Sequence, residues 1–509
     1  MKKRTDCLEA LGHTCTAMGS ERVTLLFSEL EALNLGSLHG NQVIAKPKSV
    51  EDVQICVRAA GATGCSISVV GGNHSGFGKS GDLVLEMCYF TSVRMADIAA
   101  VAATDASRES ALLSIGAGVK LQDLSIQAKQ LGLVVPLGTA PTVGLGLVLQ
   151  GGVGHLTRQL GLAIDAIRSV QLVTATGEVL DVSQTNEREE KEQGKQKDRP
   201  WTEKLSQVGQ EESLTDLHWA LRGCAPNFGV VTSITLQAAP FRHCNTVRKV
   251  FEIGEPPSRA GCLRDYMAWS SKLPMDCSAD CCLYFKDKTA YSSGNPTANI
   301  LMGIYTFDFG SGAPDVELPT RPALLWEIFR EQQDISELME HEPYLCEQPE
   351  GIVHEGFLSK RGFFVRALFF HKEAEIHTEL IESISSAPTQ HCYFHLQHMG
   401  GAVSDQKDSA FLAREAEWSV VISGVWQSQD DSFATEALAC KTWVMQVVEQ
   451  LLPKSLGSYA TDLGPDDQHL ARYSFGHKTS LLLELKKKWD PDNLFRHGFP
   501  LASLSKGYD

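Results

Sequence analysis

The 509-residue sequence has no apolar run approaching the ~20 residues that a membrane-spanning helix needs. It also has no excess of positive charge: 46 Lys and Arg stand against 62 Asp and Glu, a net charge of −16. A surface built to neutralise phosphates is therefore not expected, nor is a nucleic-acid partner. No two of its 14 cysteines sit at CxxC spacing and no histidine pair flanks them at ligand spacing, so no metal is expected. Met1-Lys2-Lys3-Arg4 is basic, but Asp6, Glu9 and His13 interrupt the next dozen residues, and the apolar core of a secretion signal does not form. The expectation is a cytoplasmic protein whose cysteines stay reduced, most of them as small buried apolar groups. Apolar residues at 43% and charged residues at 21% exclude a mainly disordered, collagen-like or coiled-coil chain, and the length suggests two or three domains.

What the sequence does have is glycine, unevenly spread. Residues 138–161, GTAPTVGLGLVLQGGVGHLTRQLG, hold seven of the 43 glycines: 138, 144, 146, 151, 152, 154 and 161. They are set among aliphatic and β-branched residues, which is unlike a flexible linker. Glycine lets backbone approach a ligand closely, and successive N–H groups can cradle an anion such as a pyrophosphate. A tightly turned, closely packed sheet would produce the same density. The spacing fits neither GxxxxGK[ST] nor a strand-to-helix GxGxxG.

Around this loop the pattern predicts short strands at Val43–Ala45, Ser66–Val70, Leu83–Glu86, Leu112–Ile115, Val170–Val173 and Glu178–Val182. Ser49 is placed to cap a helix over Glu51–Ala60, and a helix over Leu121–Leu131 should stop at Gly132. Helix-like Leu217–Leu221 precedes an apolar strand, Phe228–Leu236. Residues 183–214 interrupt this unit: fourteen of the 32 are charged, and no aliphatic or aromatic residue occurs before Trp201, so they read as a solvated insertion. From residue 242 strand-like runs recur at Val247–Ile253, Cys282–Phe285, Ile300–Phe307, Phe363–Phe370, Cys392–Met399 and Trp418–Trp426. Helical patterns over Pro322–Glu340 and Asp431–Leu452 lie between or after them, and Leu481–Trp489 forms a last helix stopped by Pro491. The class expected is α+β: a mixed first unit, then an antiparallel sheet covered by helices that serves as a substrate-binding layer.

Ser68–Ser75, with Gly71, Gly72, Asn73, His74 and Ser75, resembles the strand and GGHS-like loop that opens the flavin site of the vanillyl-alcohol-oxidase superfamily. Gly138–Gly154, with Thr142-Val143-Gly144, resembles its pyrophosphate loop. Leu162-Ala163-Ile164-Asp165, Asp216–Gly223 and Asn227-Phe228-Gly229-Val230-Val231-Thr232-Ser233 come after it in the family's order. The terminal WDPDNLF resembles the closing segment of berberine-bridge-enzyme-like oxidoreductases, so the likeness spans residues 40–240 and 455–500.

The resemblance implies an N-terminal extension (1–35), a PCMH-type FAD-binding domain (36–241, with the 183–214 insertion), a substrate domain (242–454) and a C-terminal segment (455–509) completing the FAD domain. FAD contacts are then implied for Gly71, Gly72, Asn73, His74, Ser75, Gly138, Thr139, Thr142, Val143, Gly144, Gly146, Gly151, Gly152, Gly154, Asn227, Gly229, Val230 and Val231. His74 takes the position of covalent attachment to the flavin 8α carbon. Ala140 stands where bicovalent members carry cysteine, so no cysteinyl link is expected. Val143 takes a position where valine goes with reactivity toward dioxygen.

The implied reaction is oxidation of a small-molecule natural-product intermediate, with hydride passing to flavin N5 and O2 reoxidising the flavin, in a monomer or homodimer. A non-redox isomerase or cyclase, pericyclases included, is the alternative, and a degenerate flavin-binding protein a third. Tyr459 resembles the family's tyrosine base, although Thr461 replaces the usual asparagine two residues on; Asp462 can assist it or serve the turn. His395 shares a strand face with Gln397 and opposes His398, so only one of the two histidines can face a flavin. Either histidine also reads as a satisfied core residue, and Glu415 and Glu417 read as a solvated strand edge.

Overall fold

The computed structural model describes residues 24–28, 42–74, 81–96, 111–183, 210–240, 245–253, 258–285, 300–309, 361–405, 408–427, 433–464, 467–497 and 501. The apolar run Leu25-Leu26-Phe27 supports β1 (Thr24–Ser28), which pairs antiparallel with β2 (Gln42–Lys46). Part of the stretch read as a plain extension, 1–35, is thus an edge strand. Its run of good β-formers is too short to mark a strand by pattern alone. Helix α1 (Val50–Thr63) starts as expected: Ser49 Oγ accepts the Asp52 N–H at 3.2 Å while the Asp52 carboxylate accepts the Ser49 N–H at 3.0 Å. β3 (Ile67–Val70) and β4 (Leu83–Glu86) join in parallel, giving the order β1-β2-β4-β3. Val53, Cys56 and Val57 of α1 pack on this sheet together with Leu494 and Phe495 from the far end of the chain.

The second sheet begins with β5 (Val93–Met95) and β6 (Ala111–Gly116), followed by α2 (Leu121–Gln130), β7 (Leu133–Val134) and the short α3 (Thr157–Leu160). β8 (Ile167–Val173) and β9 (Val179–Ser183) form the expected hairpin around Gly177, whose φ is +77°. Helix α4 (Gln210–Cys224) starts inside the stretch read as a solvated insertion. Leu214 and Leu217 give that end an apolar face, so the insertion's two ends belong to regular elements and 184–209 lie outside the described residues. The eleven-residue β10 (Val230–Pro240) is central, bonding β6, β7 and β8 in a sheet of order β5-β6-β10-β8-β9.

The third sheet is antiparallel throughout. Along the chain come β11 (Asn245–Glu252), α5 (Ser258–Ser270), β12 (Cys277–Phe285), β13 (Ile300–Asp308), β14 (Arg361–Phe370), α6 (His377–Ser385), β15 (Tyr393–His398), β16 (Trp418–Gln427), α7 (Phe433–Leu451) and β17 (Gly457–Ser458). Their order is β11-β13-β12-β15-β16-β14-β17. Helix α7 covers one face, with Trp443 stacked on Phe394 at 5.5 Å between ring centroids. The helix expected over Pro322–Glu340 lies outside the described residues. Because β17 bonds β14, the chain leaves the third sheet after Ser458 rather than at 455.

Helices α8 (Gln468–Phe475) and α9 (Thr479–Trp489) then return to the first half. There the buried Lys486 ammonium donates to the Asn227 carbonyl and pairs with Asp490, and the Ile67 N–H donates to the Leu494 carbonyl at 2.9 Å. Residues of the second and third sheets share one continuous apolar cluster. Among the described residues no helix is long and apolar enough to cross a membrane, and all ten cysteines are unbridged, nine of them buried.

Candidate functional site

Two backbone loops meet where β3 ends. An ideal Cβ on Gly72 would lie 2.1 Å from the Gly144 nitrogen, and one on Gly144 would lie 2.3 Å from the Gly72 nitrogen. Real side chains never approach backbone so closely, so both positions need glycine. Asn73 follows with φ +63°, a left-handed turn that asparagine tolerates, and brings His74 to Thr142, Nε2 to Oγ1 at 2.9 Å. Burial, reinforced by the Lys120 charge, lowers the His74 pKa and favours the neutral ring.

The loops form one wall of a cavity of about 340 Å³. Of the residues singled out from sequence, Gly71, Gly72, Asn73, His74, Thr139, Val143, Gly144 and Gly146 line it, and Gly229, just before β10, and Val231 on it extend the wall. Ala140 lines it too, so no thiol stands at that position. Thr142 reaches the site through its bond to His74. Ser75 lies outside the described residues.

Six residues expected to touch the cofactor do not line the cavity and make packing contacts around it. Gly138 abuts the Leu147 side chain, and Gly154 abuts the Leu137 carbonyl while its N–H donates to Thr157 Oγ1 at 2.8 Å. Gly152, at φ +76°, packs on Ala163 and donates its N–H to the Tyr459 hydroxyl at 2.7 Å. Asn227 is fully buried and held by Lys486, and Val230 sits in the core of the first sheet. Gly151 packs on the Tyr459 ring, one step behind the cavity surface. Close packing and ligand approach both call for glycine, which is why sequence density could not separate them.

The opposite wall comes from the third sheet and the turn after β17. Phe363 and Val365 alternate on β14, Val421 and Gln397 extend the same face on β16 and β15, and Tyr459, Thr461 and Asp462 close one end. Gln397 is fixed at both ends of its amide: Oε1 accepts from Ser419 Oγ at 3.1 Å, and Nε2 donates to Thr139 Oγ1 at 3.4 Å. Phe363, Val365 and Val421 were missed as lining residues. Their period-two alternation marked them only as one face of strands whose partners were unknown. Tyr459 is 5% exposed, its ring set edge-on against Phe369 and Phe411, and burial pushes its hydroxyl pKa up. Burial raises the Asp462 carboxyl to about 7, partly offset by Arg366.

His395 is not part of this group. It lies on the expected face, beside Gln397, but its Nε2 is 3.0 Å from Asp280 Oδ2 and it does not line the cavity. The same carboxylate lies 3.4 Å from His155 Nδ1, and the His155 ring stacks on Phe307. Burial holds the His155 pKa down at about 4, while the histidines around it and the His398 N–H keep the Asp280 carboxyl ionised. On the other face His398 stacks on Trp418 and contacts Glu417 and Arg158. Glu417 is thus a partner in a buried cluster rather than a solvated strand edge. Arg158 on α3 binds it and reaches the Cys277, Leu273 and Met399 carbonyls, tying the first half to the third sheet.

A glycine-rich wall facing an apolar sheet fits a flat, extended group with a pyrophosphate tail. A Cβ added at Gly146 meets nothing within 4 Å, so there is open space against the backbone. Among the described lining residues there is no Lys or Arg, so an anion held there meets backbone dipoles. FAD fits these residues.

The comparisons with known proteins agree. The family model for the FAD binding domain matches residues 41–183, and the berberine and berberine-like model matches residues 461–498. A FAD-linked oxidoreductase of Dictyostelium discoideum is 24% identical over 473 residues, 91% of this chain and 89% of its own length. The (R)-6-hydroxynicotine oxidase of Paenarthrobacter nicotinovorans is 37% identical over 199 residues, 38% of this chain and only 35% of its own length. Among solved structures, a chitooligosaccharide oxidase superposes with a TM-score of 0.71 at 18% identity, covering 96% of this chain and 98% of its own. Wild-type Physcomitrella patens BBE-like 1 gives 0.70 at 20% identity, with the same coverage. These structures share the fold, α+β with a two-part FAD-binding domain and an antiparallel substrate sheet. The chain is an FAD-dependent oxidoreductase with an FAD binding domain over residues 41–183 and a berberine-like segment over residues 461–498, and it is similar to the berberine-bridge-enzyme-like group of the vanillyl-alcohol-oxidase superfamily.

Proposed function

We propose that this chain is an oxidase of a small-molecule natural-product intermediate, using dioxygen as the second substrate. The observation that carries the reading is the two-walled cavity, glycine loops on one side and the Phe363, Val365 and Val421 face on the other. Bound FAD supplies the two-electron acceptor for substrate hydride and passes the electrons on to O2. The chain's own residues position and enclose it. Gly72 and Gly144 keep the loops in contact, Gln397 joins the sheet to Thr139, and the sheet keeps water from the reacting face.

Two lining residues support the oxidase reading and a single attachment. Val143 faces the cavity, where its small side chain leaves room for a diatomic gas. His74, with Nε2 engaged by Thr142, presents Nδ1 as the nitrogen for covalent attachment to the flavin, and Ala140 offers no second link. Acid precipitation of the purified protein tests this: flavin should stay with the pellet in wild type and move to the supernatant in His74→Ala. Flavin wholly released from wild type refutes the attachment.

Mixing the holoenzyme anaerobically with extracts that accumulate when the protein is removed from its source tests the reaction. Bleaching of the flavin, reversed by air, is the expected result. Substrate conversion with the flavin unchanged assigns the pocket to an isomerase or cyclase instead.

A further inference from the structure

The end of the cavity formed by Tyr459–Asp462 holds two groups able to take a proton, and the structure treats them differently. Tyr459 is committed. Its hydroxyl accepts the Gly152 N–H at 2.7 Å, its ring is wedged between Phe369 and Phe411, and burial raises its pKa, so it stays protonated at neutral pH.

Asp462 is held by its backbone rather than its carboxylate. Arg366, 4% exposed on β14, donates to the Asp462 carbonyl oxygen at 2.7 Å and pairs its other nitrogen with Asp467. Asp467 in turn accepts the Gly464 N–H at 2.6 Å. The neighbouring cation is therefore engaged with a second carboxylate, while Asp462 is among the residues that line the cavity, as are Phe363, Val365 and Thr461. A carboxyl residue fixed through its backbone, on a cavity with an apolar wall, suits a general base at neutral pH.

We propose that Asp462, not Tyr459, accepts the substrate's proton, and that the substrate is a largely apolar molecule presenting one O–H or N–H donor to it. The assignment rests on FAD occupying the glycine-walled cavity. In the step assigned to Asp462, the O–H or N–H bond breaks, its proton goes to the carboxylate and its electron pair stays on the heteroatom. That pair forms the C=O or C=N bond as hydride leaves the adjacent carbon for the flavin, the two-electron acceptor. Phe363, Val365 and Val421 supply the apolar surface.

Phenol, an apolar ring with one O–H, is the probe, and glucose is its polyol counterpart of similar size. Flavin absorbance of the holoenzyme is titrated with each between pH 6 and 8.5. Asp462 titrates near 7, so its carboxylate is mostly protonated at the low end and ionised at the high end. The charged and titratable groups around it are Arg366 and Asp467 behind the turn, Tyr459 on it and His74 elsewhere on the lining. Only His74 otherwise changes charge near this range, and its lowered pKa places that change toward the acid end.

Expected are a saturable phenol response whose affinity rises with pH through about 7, and no response to glucose. Asp462→Asn should bind phenol about tenfold more weakly at pH 8.5 with a flat pH profile, the loss of one charge-assisted hydrogen bond. Asp462→Glu should restore the rise, and Tyr459→Phe should keep it. FAD content measured in each variant shows that it is folded. Equal phenol affinity of wild type and Asp462→Asn at pH 8.5, loss of the pH rise in Tyr459→Phe alone, or a glucose response overturns the assignment while leaving the oxidase reading intact. A wild-type protein that takes up no FAD overturns both.

Discussion

Gly72 and Gly144 show how a site can depend on the absence of atoms. Each lies where one added carbon would fall within 2.3 Å of the other's backbone nitrogen, and neither obstacle is a side chain that can swing away. Gly72→Ala should therefore separate the two loops and lower FAD affinity at least tenfold, read by flavin fluorescence on titrating the apoprotein. Gly146→Ala, with open space around its Cβ, should lower it far less. Tyr459 makes the complementary point. Tyr459→Phe leaves the buried Gly152 N–H without its acceptor, and should cost about 1–3 kcal/mol of stability in urea unfolding. A midpoint shift near zero would mean that water replaces the hydroxyl.

At the scale of elements, the short α3 has more influence than its four residues suggest. Arg158, buried on it, donates to three carbonyls of the third-sheet half and pairs with Glu417. Arg158→Met should cost about 3–5 kcal/mol in chemical unfolding, because Glu417 is left buried beside His398 without its main counter-charge. The Ser49 cap of α1 is worth less: Ser49→Ala should cost about 1 kcal/mol, since it removes one satisfied N–H at an otherwise intact helix start. The start of α1 and the strands of the third sheet were readable locally, from a cap residue or an alternating run. The start of α4 was not, because the charges of residues 183–214 masked the apolar positions that dock it.

For the whole molecule, burial of neutral histidines sets an acid limit. The His218 ring is 2% exposed with Nε2 unpartnered, and burial, with Arg222 and Arg168 nearby, lowers its pKa to about 3 from the usual 6.5. Above pH 6.5 both folded and unfolded chains carry it neutral and its contribution is fully present. As pH falls from 6.5 toward 3 only the unfolded chain takes up the proton, so stability declines. At pH 5 the difference is about 2 kcal/mol. His218→Leu should thus flatten the loss of Tm between pH 7 and 5 relative to wild type; parallel curves would refute this.

The net charge of −16 and the ordinary composition said little beyond excluding classes of partner. By itself the sequence determined the α+β class, the glycine loops and the order of segments that identifies the flavin-binding family. Each of these is written locally, in residues whose conformational freedom or periodicity is a property of the chain within a few positions. Tertiary structure alone decided which glycines meet the cavity and which merely pack, that His395 is drawn away by Asp280, and that Gln397 rather than either histidine faces the site. It also paired the arginine beside Asp462 with the Asp467 carboxylate while leaving it bonded to the Asp462 carbonyl. Asp280, Thr139 and Asp467, the partners of His395, Gln397 and Arg366, lie more than a hundred residues away from them in sequence, and no local pattern encodes which of two suitable groups such a partner will take.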